Sequence, residues 1–150
     1  MSDEKSPLSG FPVTAPVTVQ WSDQDALGHV NNVVYFKWFE IARIGYFDQS
    51  GMGRLAAESE LGQILAATSC YFRSQLSFPD FVQVGVRVSR IGRSSIGMEY
   101  AVWSASTREV VADGDSTIVM FNYAENRSVV VPDLLREAIE SIEKKSFPRS

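Results

Sequence analysis

Residues 21–32 read Trp-Ser-Asp-Gln-Asp-Ala-Leu-Gly-His-Val-Asn-Asn, and residues 33–50 read Val-Val-Tyr-Phe-Lys-Trp-Phe-Glu-Ile-Ala-Arg-Ile-Gly-Tyr-Phe-Asp-Gln-Ser. The first stretch is polar and turn-rich and holds the single histidine of the chain, His29. The second contains no proline and reads as one long helix. Asn31 and Asn32 are good N-cap residues, since a short side-chain oxygen can accept a first-turn amide. Gly51 stands where a C′ glycine belongs. Val34, Trp38, Ile41 and Gly45 form one apolar line, and Tyr35, Phe39, Ala42 and Tyr46 form another. Only Lys37, Glu40 and Arg43 make a narrow polar line. A helix apolar nearly all round is expected to be enclosed. It is roughly 30 Å long at about 1.5 Å per residue, close to the span of a ten-residue strand. Long strands can therefore wrap it from end to end. Its mouth receives the polar cluster, where amides lack intrahelical partners and the dipole favours negative charge.

The rest of the chain supplies those strands. Residues 1–10 read as a loose polar tail. Val13 to Ser22 has strand character, with Val17, Val19 and Trp21 alternating with Thr18 and Gln20. Residues 51–62 read as a connector, and Arg73 to Pro79 as irregular. The spacing predicts strands over 64–72, 81–91, 95–103 and 110–123. The cleanest has Val82, Val84, Val86 and Val88 on one face. Ala112, Gly114 and Ser116 are small and share a face, which would let a helix approach closely. Pro132 opens an amphipathic helix carrying Leu134, Leu135, Ala138, Ile139 and Ile142. Strands joined by short turns pair antiparallel, so the expected class is α+β, one antiparallel sheet around one long helix with a short C-terminal helix.

Size and composition narrow the function. A chain of 150 residues is expected to form one domain, here over 11–150. A formal charge of −4 argues against general nucleic-acid binding. One cysteine, Cys70, and one histidine provide neither an intrachain disulfide nor a zinc cluster. No metal and no separate cofactor are expected. No apolar run is long enough to span a membrane, and the expected setting is the cytoplasm.

The Asp23-Gln24-Asp25-Ala26-Leu27-Gly28-His29-Val30-Asn31-Asn32 run, with Tyr35 and Glu40-Ile41-Ala42-Arg43 behind it, resembles the hotdog-fold acyl-CoA thioesterases. The likeness is to the 4-hydroxybenzoyl-CoA thioesterase-like branch. It covers most of the chain, including the Ile91-Gly92-Arg93-Ser94-Ser95 turn and the proline-started C-terminal helix. The resemblance implies a sheet wrapped around a long helix, edge-to-edge self-association as a homodimer or dimer of dimers, and an active site at the dimer interface. It implies hydrolysis of acyl-CoA, with coenzyme A as part of the substrate and Asp25 as the catalytic carboxylate. One departure stands out. The family often has Gly-Asp where this chain has Phe78-Pro79-Asp80.

Roles follow for the remaining candidates. Asp23 and Asp25 are two apart, and in an extended segment their carboxylates point the same way. Like charges close together raise one pKa, which suits a general base. Asp23 otherwise binds backbone amides near the turn. A similarity to the plant acyl-carrier-protein thioesterases, which have aspartate and histidine at these motif positions, implies that His29 orients or protonates a group beside Asp25. Asn31 and Asn32 are caps, and either is a candidate to hydrogen-bond the thioester carbonyl or hold a water. Amides from Val33 to Tyr35 are expected to bind the oxyanion. Asp25 would deprotonate water or attack directly to give an anhydride. Tyr35, Trp38 and Phe39 are candidate walls for the acyl group. Arg73, Arg90, Arg93 and Ser94 are candidates for the phosphates of coenzyme A. Two other classes stay open. One is a hotdog dehydratase acting on hydroxyacyl thioesters, although the His-Phe-Pro-Gly run of those enzymes is missing. The other is an acyl-thioester binding module without catalysis.

Overall fold

A computed structural model describes residues 8–149 of the chain. The elements in order are β1 (Val13–Thr18), α1 (Asn32–Gln49), α2 (Met52–Glu58), β2 (Leu61–Phe72), β3 (Phe81–Ile91), β4 (Ser95–Ser104), β5 (Glu109–Asn122), β6 (Arg127–Ser128) and α3 (Asp133–Glu143). The sheet is antiparallel with spatial order β1-β3-β4-β5-β2, and β6 pairs on β5. It curls around α1, as the hotdog fold requires. Val82, Val84, Val86 and Val88 of β3 and Ile96, Met98, Tyr100 and Val102 of β4 are all buried against the helix side. Their period of two is the physical reason that these strands were legible.

The small face on β5 does admit the helix. A methyl group placed on Gly114 would collide with the Ser69 carbonyl oxygen and lie 2.8 Å from the Phe39 ring. Phe39 is fully buried there and stacks on Tyr100. Behind it, α3 closes one end of the fold. Glu143 accepts from the Tyr46 hydroxyl at 2.6 Å and from the Val88 amide at 2.9 Å.

Several expectations need correction. Residues 1–7 of the expected tail lie outside the described residues. Leu8, however, is buried, and its carbonyl accepts the Phe11 amide at 2.9 Å. The first strand stops at Thr18, and Trp21–Asp23 is a 3₁₀ turn rather than extended chain. Its trigger is reciprocal: the Asp23 carboxylate accepts the Gln20 amide at 2.7 Å, so the chain bends before the motif. The connector after α1 contains a short helix, α2, entered through Gly51 at φ +80°, a left-handed conformation suited to glycine. β6 is only two residues long, too short to show a period.

The long helix is not sheathed on every side. Val33, Ile41 and Ile44 are exposed, on a side of α1 that the sheet leaves open. The expected polar line also breaks, because Arg43 is 7% exposed. Its Nη1 donates to the Tyr100 hydroxyl at 3.1 Å, and that oxygen lies 2.5 Å from Ser116 Oγ. A charge taken inside needs such partners. The hydroxyls sit on the strands and could not be paired with Arg43 from sequence spacing.

Candidate active site

The motif folds as a tight loop in front of α1. Gln24 and Val30 form an isolated antiparallel bridge. The Asp25 amide donates to the His29 carbonyl at 2.8 Å, and the Gly28 amide donates to the Asp25 carbonyl at 3.1 Å. Gly28 sits at φ +81°, where a side chain is disfavoured. The loop is held from outside by residues 76–78. The Val30 amide donates to the Leu76 carbonyl at 2.8 Å, Ser77 Oγ to the Gly28 carbonyl at 3.1 Å, and the Phe78 amide to Gln24 Oε1 at 3.0 Å.

Asp80, in the segment that departs from the family pattern, anchors that strap. Its buried carboxylate accepts from Ser104 Oγ at 2.6 Å, from Ser106 Oγ at 2.9 Å, and from the Ser106 and Phe81 amides. Burial alone would raise its pKa. The hydrogen bonds from Ser104, Ser106 and Phe81 outweigh it and hold the carboxyl below its ordinary value.

A cavity of about 290 Å³ opens beside the loop. Asp25, His29, Asn32, Tyr35 and Arg73 line it, together with Phe72 and the 74–76 segment. Five of the expected site residues are thereby brought together from α1, the motif loop and the end of β2. Sequence reasoning missed Leu27, Val30, Phe72, Ser74, Gln75 and Leu76, which complete the wall. Only Phe72 left a trace, as an aromatic at a strand end next to Arg73.

The two aspartates part company. Asp23 serves the 3₁₀ turn and does not line the cavity. The expected like-charge pair sharing one site is therefore not formed, because the bend at 21–23 turns the carboxylates to different tasks. Asp25 Oδ1 accepts the Leu27 amide at 2.9 Å, with a longer contact of 3.5 Å from the His29 amide. Among the described residues nothing donates to Asp25 Oδ2. His29 meets Asp25 through its backbone, and its place on the cavity wall comes from the loop rather than from a helical turn.

The helix mouth differs from expectation in a specific way. Asn31 is the N-cap, and its Oδ1 accepts the Val33 amide at 3.0 Å. The Asn31 carbonyl accepts the Val34 amide at 3.0 Å. Those two donors are taken, so within the expected oxyanion site around Val33 to Tyr35 the Val33 and Val34 amides are not free. The amide of Asn32, the first helical residue, has no acceptor among the described residues, and Asn32 lines the cavity. Val33 itself is exposed.

The remaining candidates divide. Tyr35 lies on the cavity wall with an edge contact to Phe72 and a tilted contact to Trp38, ring centroids 5.0 and 5.1 Å apart. Trp38 and Phe39 are core residues and do not reach the cavity, since the helix turns them toward the sheet. Arg73 borders the cavity but is held bidentate by Asp113, at 2.9 and 3.0 Å. Arg90 is engaged with Ser95 Oγ and Thr117 Oγ1 at the far end of β3. Arg93 also lies there. It is shared by two adjoining clefts of about 200 and 260 Å³ whose walls include Ser94, Arg127, Arg136 and Arg149. Arg127 and Arg149 are paired with Glu125 and Asp133, whereas the Arg93 guanidinium has no partner among the described residues. Among the described residues, no three of His, Cys, Asp and Glu gather closely enough to hold a metal ion, and no helix is long and apolar enough to cross a membrane.

Residues 19–139 match the model of the thioesterase-like superfamily. A thioesterase from Thermus thermophilus, solved as a complex with coenzyme A and Zn, is 33% identical; the alignment covers 92% of this chain and 98% of that one, with a TM-score of 0.81. The PA5185 protein from Pseudomonas aeruginosa PAO1 is 29% identical, with 94% and 97% covered and a TM-score of 0.80. Protein YsmA of Bacillus subtilis (strain 168) is 31% identical over 92 residues, which span 61% of this chain and 61% of that protein. With its motif loop at the mouth of a sheet-wrapped helix and a family match running through nearly all of the sheet, the chain belongs to the thioesterase-like superfamily and has its hotdog fold.

Proposed function

We propose that this protein is an acyl-CoA thioesterase, releasing a free acid and coenzyme A, with Asp25 and Asn32 acting on one carbonyl. One observation carries the reading: a carboxylate with one oxygen unengaged and a helix-mouth amide with no acceptor border the same cavity. Hydrolysis places negative charge on the thioester oxygen as the tetrahedral intermediate forms. The Asn32 amide, backed by the dipole of α1, binds that oxygen. One such donor is worth about 3–4 kcal/mol in the transition state. Asp25 Oδ2 takes a proton from the attacking water, contributing roughly a hundred- to ten-thousand-fold. Direct attack by Asp25 to give an anhydride uses the same geometry. His29 lines the same cavity, where it orients or protonates a group beside Asp25. The kinship to the Thermus thermophilus protein, solved with coenzyme A, supports the choice of thioester.

The partner in this reading is a second copy of the chain. β2 is a free edge of 12 residues, with Ile64, Leu65, Tyr71 and Phe72 exposed along it, and Ile41 and Ile44 of α1 exposed as well. An uncovered edge of this length is a liability. Antiparallel pairing of β2 with its copy places the Leu61 end of one strand beside the Phe72 end of the other. The Leu61 end is joined through Asn122 and Met120 to the Ser94 turn. The cationic cleft at the partner's Arg93 thus approaches the cavity and receives the coenzyme A phosphates. Arg93 and Ser94 retain that role, while Arg90 and Arg73 are already engaged.

The test is hydrolysis of a panel of acyl-CoAs by the wild type and by Asp25→Asn, which preserves the acceptor for the Leu27 amide. The expected result is turnover in the wild type and a fall of about a hundredfold or more in kcat. Equal rates would defeat the assignment, and binding without wild-type turnover would favour the binding module. Single-turnover hydrolysis in heavy-oxygen water separates the two chemical routes, since label enters Asp25 only if it attacks.

A further inference from the structure

The cavity contains a polar atom that the proposed chemistry does not use. Tyr35 is 2% exposed, and what it exposes faces the cavity that it lines. Its ring is packed edge-on against Phe72 and tilted against Trp38. Its hydroxyl has no hydrogen-bond partner among the described residues and keeps some access to solvent. Burial first, and the nearby Cys70 second, push the phenol up to about 12. It is therefore a protonated donor at any ordinary pH. Tyr35 stands one turn beyond Asn32 on the same side of α1, about 4.5 Å further along the axis.

Within one chain the space is also limited. A cavity of about 290 Å³ is at the small end of ligand pockets, which run from about 300 to 1,000 Å³. Trp38 and Phe39, next along α1, are buried in the core and do not line it.

We infer that the Tyr35 hydroxyl determines specificity by donating to an oxygen on a short acyl group, a few bonds from the thioester carbonyl. The inference rests on the thioesterase reading above and adds the substrate feature that this site selects. Short acyl chains bearing a 3-oxo or 3-hydroxy group match it. Their unsubstituted counterparts leave the phenol unpaired, and a site built to hydrogen-bond one substrate discriminates against the analogue lacking the group.

The experiment compares kcat/KM for butyryl-, 3-oxobutyryl-, 3-hydroxybutyryl- and palmitoyl-CoA in the wild type and in Tyr35→Phe. The expected wild-type preference for at least one oxygenated four-carbon substrate over butyryl-CoA is about tenfold. In Tyr35→Phe that ratio is expected to fall to near one. A purely structural role for the hydroxyl would lower all substrates together and leave the ratio intact, which would overturn the inference. A wild-type ratio near one, or a preference for palmitoyl-CoA, would overturn it whatever the variant does. Absence of turnover on every thioester, by contrast, would remove the thioesterase reading itself.

Discussion

The rings of Phe39 and Tyr100 stack with centroids 4.4 Å apart and planes 9° from parallel, joining the middle of α1 to the middle of β4. The contact closes only because β5 presents Gly114 beside Phe39, and it brings the Tyr100 hydroxyl to Arg43. Helix position, and hence the position of the helix mouth, is set by this contact.

Gly114→Ala is therefore expected to destabilise the fold. The added methyl group meets backbone at Ser69 as well as the Phe39 ring, and backbone cannot give way cheaply. Overpacking of this kind costs about 1–3 kcal/mol. Urea denaturation of the variant measures it, and an unchanged midpoint would show that the helix is not seated against Gly114.

The carboxylate of Glu143 serves two donors, the Tyr46 hydroxyl and the Val88 amide. Glu143→Ala leaves the buried Tyr46 hydroxyl and the Val88 amide without this partner. Each unpaired group costs roughly 1–3 kcal/mol. Tyr46→Phe removes one donor and leaves the carboxylate on Val88, so a smaller loss is expected. Equal losses in the two variants would mean that the Val88 amide finds another acceptor.

Stability is expected to decline at both ends of the pH range. Folding raises the Cys70 thiol from 9.0 to about 11, through burial first and the Asp113 charge second, and raises Tyr35 from 10.0 to about 12. Above the lower values the unfolded chain gives up protons that the folded chain keeps. The unfolded state then gains relative stability with rising pH. The contribution is complete below about pH 9 and is lost between pH 9 and 12. Asp80 acts in the opposite sense: its depressed pKa contributes stability above its ordinary value, and this is lost as acid protonates it in the folded state. Denaturation midpoints against pH for the wild type, Cys70→Ser and Tyr35→Phe check this, the variants having a flatter alkaline limb. A limb identical to that of the wild type in both would refute the assignment.

A charge on the free edge is expected to block self-association. Leu65 is exposed on β2, and Leu65→Lys places a like charge against its own copy across a twofold pairing. Light scattering after size exclusion is expected to give a dimer for the wild type and a monomer for the variant. Loss of turnover should accompany it, because the partner's Arg93 then leaves the cavity. A fully active monomer would contradict the proposed route for the coenzyme A phosphates.

Much of this was legible before any coordinates. Period two in Val82 to Val88, the long proline-free run after Asn32, and the small residues at 112, 114 and 116 are local or nearly local signals, and all three became the elements and the close approach that they imply. The motif placed Asp25, His29 and Asn32 at the helix mouth because adjacency in sequence guarantees adjacency in space over so few residues. Arg43 and Trp21 misled, since a charged or aromatic residue takes its burial from distant neighbours. Nothing near Arg43 in the chain announces Tyr100.

The sequence by itself determined the long helix, the five long strands and the C-terminal helix, though not α2 or β6, and which polar residues reach the start of α1. Only the tertiary structure decided which of those groups are left free. Asn31 takes the Val33 amide and leaves that of Asn32; Asp23 is spent on a turn while Asp25 keeps one oxygen unengaged; Phe72 comes from β2 to stand against Tyr35. Hydrogen bonds saturate, so a donor or acceptor is available for chemistry only after the fold has assigned partners to all the others.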